Sequence, residues 1–277
     1  MGHSPHFVAP FLTYCVIQTL NGEANLDQHQ DPNEQAKQQQ PGRQTNTVLI
    51  CVRHTDVHNP EDLFYGRLPR FGLSVVGRQQ AERTATILAD VPVDAFYTSP
   101  MLRARQTARV LASRHKEVPV RLSRLLIEVY TSWQGRSHAE LEPLHFDFYS
   151  NPLDEADETL DQIWDRINRF VRRVRRRHPC QTIVGVTHGD VVFLAKSGFR
   201  GMPIAIESIR RRDFYPGKGS LTRLTFSNDL SQVFPLRVEY YDPNSEDPQW
   251  NQGWVTLEPV SDKARLAARL ATQDVVV

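Results

Sequence analysis

Three short apolar runs constrain this chain more than any other feature: Thr47 to Val52, DAFYTSP from Asp94 to Pro100, and TIVGVTHGD from Thr182 to Asp190. A run that stays apolar over this length without alternating fits a strand buried on both faces. Helical patterns separate the runs. Ser74 to Asp90 places Ala81, Ile87 and Leu88 on one side behind a Ser74 cap, and Met101 to Arg114 follows the second run. Asp157 to Arg177 is the clearest element, because Leu160, Ile163, Trp164, Ile167, Phe170, Val171 and Val174 repeat at three-four spacing. Strands alternating with helices predict an α/β fold of three layers, α/β/α, around a central, mostly parallel sheet. Near the end, SLTRLTF and QVFPLRVEYY flank Ser227-Asn228-Asp229 and predict an antiparallel hairpin on the sheet's edge.

Each apolar run ends in groups with chemistry: Arg53-His54, Ser99-Pro100 with Arg103 one turn on, and Thr187-His188. Taken singly, an Arg-His pair is an ordinary surface pair and Arg103 an ordinary solvated helix residue. Their conjunction at matching strand ends is different, since open α/β sheets bind ligands beyond the carboxyl ends of their strands. Two arginines with two histidines describe an anion site, because guanidinium forks match phosphoryl oxygens and a helix start adds N–H donors. A neutral imidazole inside such a clamp is also a competent nucleophile toward phosphorus.

Composition narrows what else the chain does. With 33 Lys+Arg against 32 Asp+Glu, the net charge of +1 supplies no global field toward nucleic acid or a membrane, so neither is expected as a partner. The arginines from Arg169 to Arg177 read as the solvated, cation-favouring end of a helix. Cys15, Cys51 and Cys180 are too scattered for a disulfide framework or a zinc site, and Cys51 reads as a core residue. Residues 1–46 read as a leader, disordered or targeting, rich in Gln, Asn, Asp and Pro. Phe7 to Leu20 is too short to span a membrane. Gly22-Glu23-Ala24 resembles a signal cleavage site, but no Lys or Arg precedes the apolar stretch, so the expected location is cytoplasmic, with secretion as the alternative. The folded domain is expected over 47–241 and a tail over 242–277, whose last stretch, Asp262 to Leu270, reads as a docking helix or a chain end.

The order of motifs resembles one family. Arg53-His54, Leu73-Ser74 with Gly77 and Gln80-Ala81, SPMLRARQTA from Ser99 to Ala108, Leu126-Ile127-Glu128, and VTHGD from Val186 to Asp190 look like the successive blocks of the histidine phosphatase superfamily, with its phosphoglycerate-mutase-like fold. The resemblance runs from about Val48 to Phe226. It implies that His54 is phosphorylated, that Arg53, Arg103 and His188 hold the phosphoryl group, that Asn59 adds a phosphate contact, and that Glu128 protonates the leaving oxygen. Asp190 and Asp56 are the rival acids. Thr55 stands where the family has Gly, and Arg67 is an imperfect match to a family arginine.

The implied activity is a phosphomonoester hydrolase acting on a small phosphorylated substrate through phosphohistidine, with no cofactor and no metal. The alternatives are a mutase of the phosphoglycerate type and a non-catalytic phospho-ligand-binding module. Val129-Tyr130-Thr131 after Glu128 lacks the mutase pattern, which favours hydrolysis. For Glu128 to act as an acid it must stay protonated near working pH, which burial or a nearby carboxylate would favour. Tyr130 and Trp133 are expected either to line the leaving-group pocket or to pack the loop, and specificity to reside in the loops 59–70, 130–154 and 200–219.

Overall fold

The computed structural model describes residues 44–210 and 215–260. Thr47–Arg53 (β1) is the hub of a seven-stranded sheet with Ala95–Thr98 (β2), Val120–Leu122 (β3), Thr182–Thr187 (β4), Leu221–Phe226 (β5), Arg237–Tyr241 (β6) and Val255–Thr256 (β7), in the order β3-β2-β4-β1-β5-β6-β7. The β3-β2-β4-β1 half is parallel, while β5, β6 and β7 add antiparallel pairs. Since β1, β2 and β4 run the same way, their polar ends share one edge.

Alternate residues of each strand feed two cores. Leu49 and Cys51 of β1 and Ile183 of β4 face one side, where Ile163, Ile167, Phe170 and Val174 of the helix Leu160–Arg177 cover them. The helix Gly189–Gly198 joins that layer. Ile50, Val52, Val184 and Val186 face the other side, under Ala85 and Leu88 of Val75–Leu88 and Ala104, Ala108 and Leu111 of Leu102–Ala112. In chain order these helices are α1 (75–88), α2 (102–112), α3 (160–177) and α4 (189–198). This is the three-layer α/β/α arrangement, and each fully buried aliphatic side chain contributes about 1.5–3 kcal/mol to it.

Several boundaries differ from the sequence reading. β3 and β7, three and two residues long, are too short to show a period. The hairpin β5–β6 is not the edge, because β7 pairs outside β6. The domain likewise does not stop at Tyr241: Leu257 is buried, and Trp254 lies 4.1 Å from the Arg223 guanidinium. At the other end Gln44 already hydrogen-bonds Thr182, so the domain starts before residue 47. The leader up to residue 43 and the stretch Asp262 to Leu270 lie outside the described residues. Among those described, no helix is long and apolar enough to cross a membrane.

The start of α1 is fastened to the segment just after the nucleophile candidate. Ser74 caps α1 by accepting from the Gly77 N–H at 2.9 Å, and its hydroxyl donates to Asp56 Oδ2 at 2.5 Å. The helix comes so close that a Cβ on Gly77 would stand 2.0 Å from the Asp56 carbonyl oxygen. Neither partner is a flexible side-chain tip. Gly77→Ala should therefore destabilise the fold by about 1–3 kcal/mol, the usual cost of overpacking, read as a lower urea midpoint at unchanged slope.

Candidate active site

His54 follows β1 directly, with its backbone N–H bonded to the Thr187 carbonyl at 2.9 Å. Its ring is nearly fully buried. Nδ1 lies 2.8 Å from the Thr55 carbonyl, which can only accept, so Nδ1 carries the proton. Nε2 accepts from Arg103 Nε at 3.1 Å, which leaves its lone pair on the side of the guanidinium. Burial first, then Arg103, His188 and Arg53, hold the His54 pKa well below the ordinary imidazole value. The ring is thus neutral, with Nε2 unprotonated.

Arg103 rises from the first turn of α2 and has no exposed surface. Its Nη2 donates to the Gly66 carbonyl at 2.8 Å and to Glu128 Oε2 at 3.0 Å, and the guanidinium lies 4.6 Å from the Tyr65 ring centre. Nη1 is buried with no hydrogen-bond partner among the described residues. The same holds for Nε of Arg53, whose Nη1 is fixed by the Pro216 carbonyl at 2.7 Å. His188, the residue before α4, holds Ser99 Oγ at 2.7 Å through Nε2. Its Nδ1 is 3.1 Å from Glu128 Oε2. Burial lowers the His188 pKa to about 4 despite the opposing pull of Glu128. The two imidazoles meet edge to face at 5.2 Å.

Glu128 departs from expectation. Burial raises its pKa, but His188, Arg103 and His54 together hold the carboxyl well below the usual range. Without ligand it is an anion. Arg67 does not enter the clamp; it braces Glu128 from behind, donating Nε to the Glu128 carbonyl at 2.7 Å and pairing with Glu158 at 2.9 Å. Thr55, standing in the family's glycine position, turns its side chain inward to Thr107 Oγ1 at 3.3 Å and away from the cavity. Asn59 lines the cavity, where its amide oxygen accepts from the Leu63 N–H and its nitrogen donates one of its two hydrogens to the Leu63 carbonyl, closing its own loop. Asp56 is occupied by Ser74 and Lys218.

Sequence reasoning missed Tyr149 and Tyr215. Both hydroxyls donate to Asp190, at 2.5 Å and 2.6 Å, so this second rival acid is a half-buried anchor for two loops. Burial raises the Asp190 pKa, against the pull of those hydroxyls. Gly189 carries the available signal, since a Cβ there would meet the Tyr215 hydroxyl at 2.2 Å. Tyr130 and Trp133 do not line the cavity; Tyr130 lies under Arg67 and Trp133 donates to the Asn151 carbonyl.

The cavity measures about 660 Å³, and Arg53, His54 and Glu128 reach its surface while Arg103 and His188 stand directly behind them. Ligand atoms of His54, Glu128 and His188 lie within 4.8 Å of one another, the spacing of a metal site. However, the His54 nitrogen a metal would use already takes the Arg103 N–H, and a divalent cation there would meet a buried guanidinium. The donor set suits an anion.

The family model described as "Histidine phosphatase superfamily (branch 1)" matches residues 49–235. An uncharacterised protein of Mycobacterium tuberculosis is 33% identical over 189 residues, 66% of this chain and 92% of that protein. The adenosylcobalamin/alpha-ribazole phosphatase of Salmonella typhimurium is 30% identical over 166 residues, 57% of this chain and 81% of that protein. Among solved structures, the alpha-ribazole phosphatase from Shigella flexneri superposes with a TM-score of 0.55 at 28% identity, covering 69% of this chain and 95% of that one.

The buried tautomer is directly measurable. Nitrogen-15 NMR of the ligand-free protein should show His54 protonated on Nδ1 alone, with no titration near pH 6.5 and protonation only well below it. An ordinary imidazole titration would mean that His54 is not held in this network.

Proposed function

Because the chain belongs to the histidine phosphatase superfamily, we propose that it is a phosphomonoester hydrolase that works without a metal, through a phosphohistidine at His54. One observation carries this reading: Arg103, whose Nε donates to the unprotonated Nε2 of His54, and Arg53, the residue before His54, each keep a buried donor, Nη1 and Nε, without a partner among the described residues. Buried polar groups are ordinarily satisfied, so a cluster of unsatisfied donors around a nucleophile suits a ligand rich in acceptor oxygens. The inward turn of Thr55 removes the steric ground for a merely binding role.

In the proposed reaction the phosphoryl oxygens take the guanidinium donors, and Arg103 Nε leaves His54 Nε2 for an oxygen. The Nε2 lone pair then forms the N–P bond as the ester P–O bond breaks in line. The departing oxygen takes a proton from Glu128. That proton enters with the substrate: a dianionic phosphoryl group beside Glu128 opposes its ionisation, so the monoanionic ester hands its proton to the carboxylate on binding. In the second half water attacks phosphorus, the N–P bond breaks, Glu128 accepts the water proton, and phosphate leaves.

Two experiments test these roles. Acid-labile, alkali-stable phosphate should be trapped on His54 after quenching, and His54→Ala should lose turnover to below about 1% while keeping its thermal midpoint; label on another residue overturns the mechanism. Glu128→Gln should slow an alkyl phosphate by about 10²–10⁴-fold, the range for general acid catalysis, and p-nitrophenyl phosphate far less, because nitrophenolate leaves without a proton. Equal slowing of both esters removes Glu128 from the acid role.

A further inference from the structure

Beyond the phosphoryl clamp the cavity is walled by a continuous series of rings. Phe146 lies 5.8 Å from His138, His138 6.4 Å from Phe64, Phe64 5.1 Å from Phe148, and Phe148 4.3 Å from Tyr149, centre to centre. All five line the cavity. These separations are those of interacting aromatic pairs, so the wall is one packed surface rather than scattered side chains. Its two ends are fixed in different ways. Tyr149 is tied to Asp190, two residues beyond His188 of the clamp, which sets that end beside the reacting centre. At the other end His145 and Phe146 adopt consecutive left-handed conformations, with φ of 50° and 58°. Such conformations are costly for residues other than glycine and persist where the surrounding structure demands them. Here they bring both side chains to the cavity.

The charges of the cavity agree. Asp56, Asp62, Glu128 and Asp190 line it with only Arg53 and Lys218 as opposing cations among the described residues. Lys218 is paired with Asp56, and His138 holds Asp62 at 2.6 Å. Among the described residues, a leaving group that carries its own carboxylate finds no unpaired cation beyond the phosphoryl clamp, whereas a flat, uncharged ring finds a wall of matching faces and edges.

We infer that the natural ester is a phosphate of an alcohol bearing a planar aromatic or heteroaromatic ring, with the ring seated against the wall formed by Phe146, His138, Phe64, Phe148 and Tyr149. This rests on the hydrolase reading above. A cavity of about 660 Å³ has room for such a ring and a spacer beyond the phosphoryl group.

The test compares kcat/KM within pairs of esters whose leaving oxygens are alike: 3-phenylpropyl against n-propyl phosphate, and adenosine 5′-monophosphate against ribose 5-phosphate. At least one ring-bearing member should be preferred tenfold or more, and Phe64→Ala should collapse that preference, with Phe64→Leu as the variant that keeps the volume if the alanine protein does not fold. Ratios near one in both pairs, with the esters nonetheless hydrolysed in a His54-dependent way, overturn this inference and leave the hydrolase standing. Preferential turnover of 3-phosphoglycerate over all four overturns it equally. No phosphate release from any of these or from p-nitrophenyl phosphate removes the hydrolase reading and this inference with it.

Discussion

A guanidinium without exposed surface is a costly group to bury, and Arg103 offsets that cost by touching both His54 and Glu128. It donates to the nucleophile candidate His54, to the carboxylate of Glu128 and to the Gly66 carbonyl, and it lies over Tyr65. These contacts set the electrostatics that follow from them. His54 stays neutral beside a permanent cation, and Glu128 stays ionised beside the same cation. The buried cation thus pulls both pKa values down, adding to burial at His54 and to the pull of His188 at Glu128, and leaves a neutral imidazole beside an ionised carboxyl.

How much of this was legible in the sequence follows from where each group sits. His54, Arg103 and His188 stand at or just after the ends of apolar strands, so the periodicity that reveals the strands also places these residues on one edge. Glu128 follows a short turn without period, and only the resemblance to a family singled it out. Tyr149 and Tyr215 were invisible, because they reach Asp190 across 41 and 25 residues from loops with no pattern of their own. The ionisation of Glu128 was misjudged for a related reason. Burial can be guessed from a sequence, but the sign of the shift depends on the charges that converge from distant segments, and here those charges outweigh burial.

Thr55 illustrates the converse. A side chain in a glycine position suggests crowding at the phosphate, yet direction decides the matter: the hydroxyl faces Thr107, and Gly219, at a φ of 81°, keeps its own Cα bare where the Thr55 methyl arrives. The substitution is absorbed on the side of the strand away from the ligand. The two features are complementary, since the space Thr55 fills is one that a side chain at 219 would otherwise contest.

The attachment of His54 to β1 has a consequence for how this protein fails. β1 is flanked by β4 on one side and β5 on the other, and six residues of it pair with each neighbour, so no fraying edge lies next to His54. Central strands of this kind open only when the whole domain opens, whereas loops such as 142–151 open locally at far lower cost. The imidazole is thus anchored beside a central strand, whereas three rings of the aromatic wall, Phe146, Phe148 and Tyr149, come from the loop. On warming, discrimination between alcohols should fade several degrees before the ability to cleave a phosphate ester is lost.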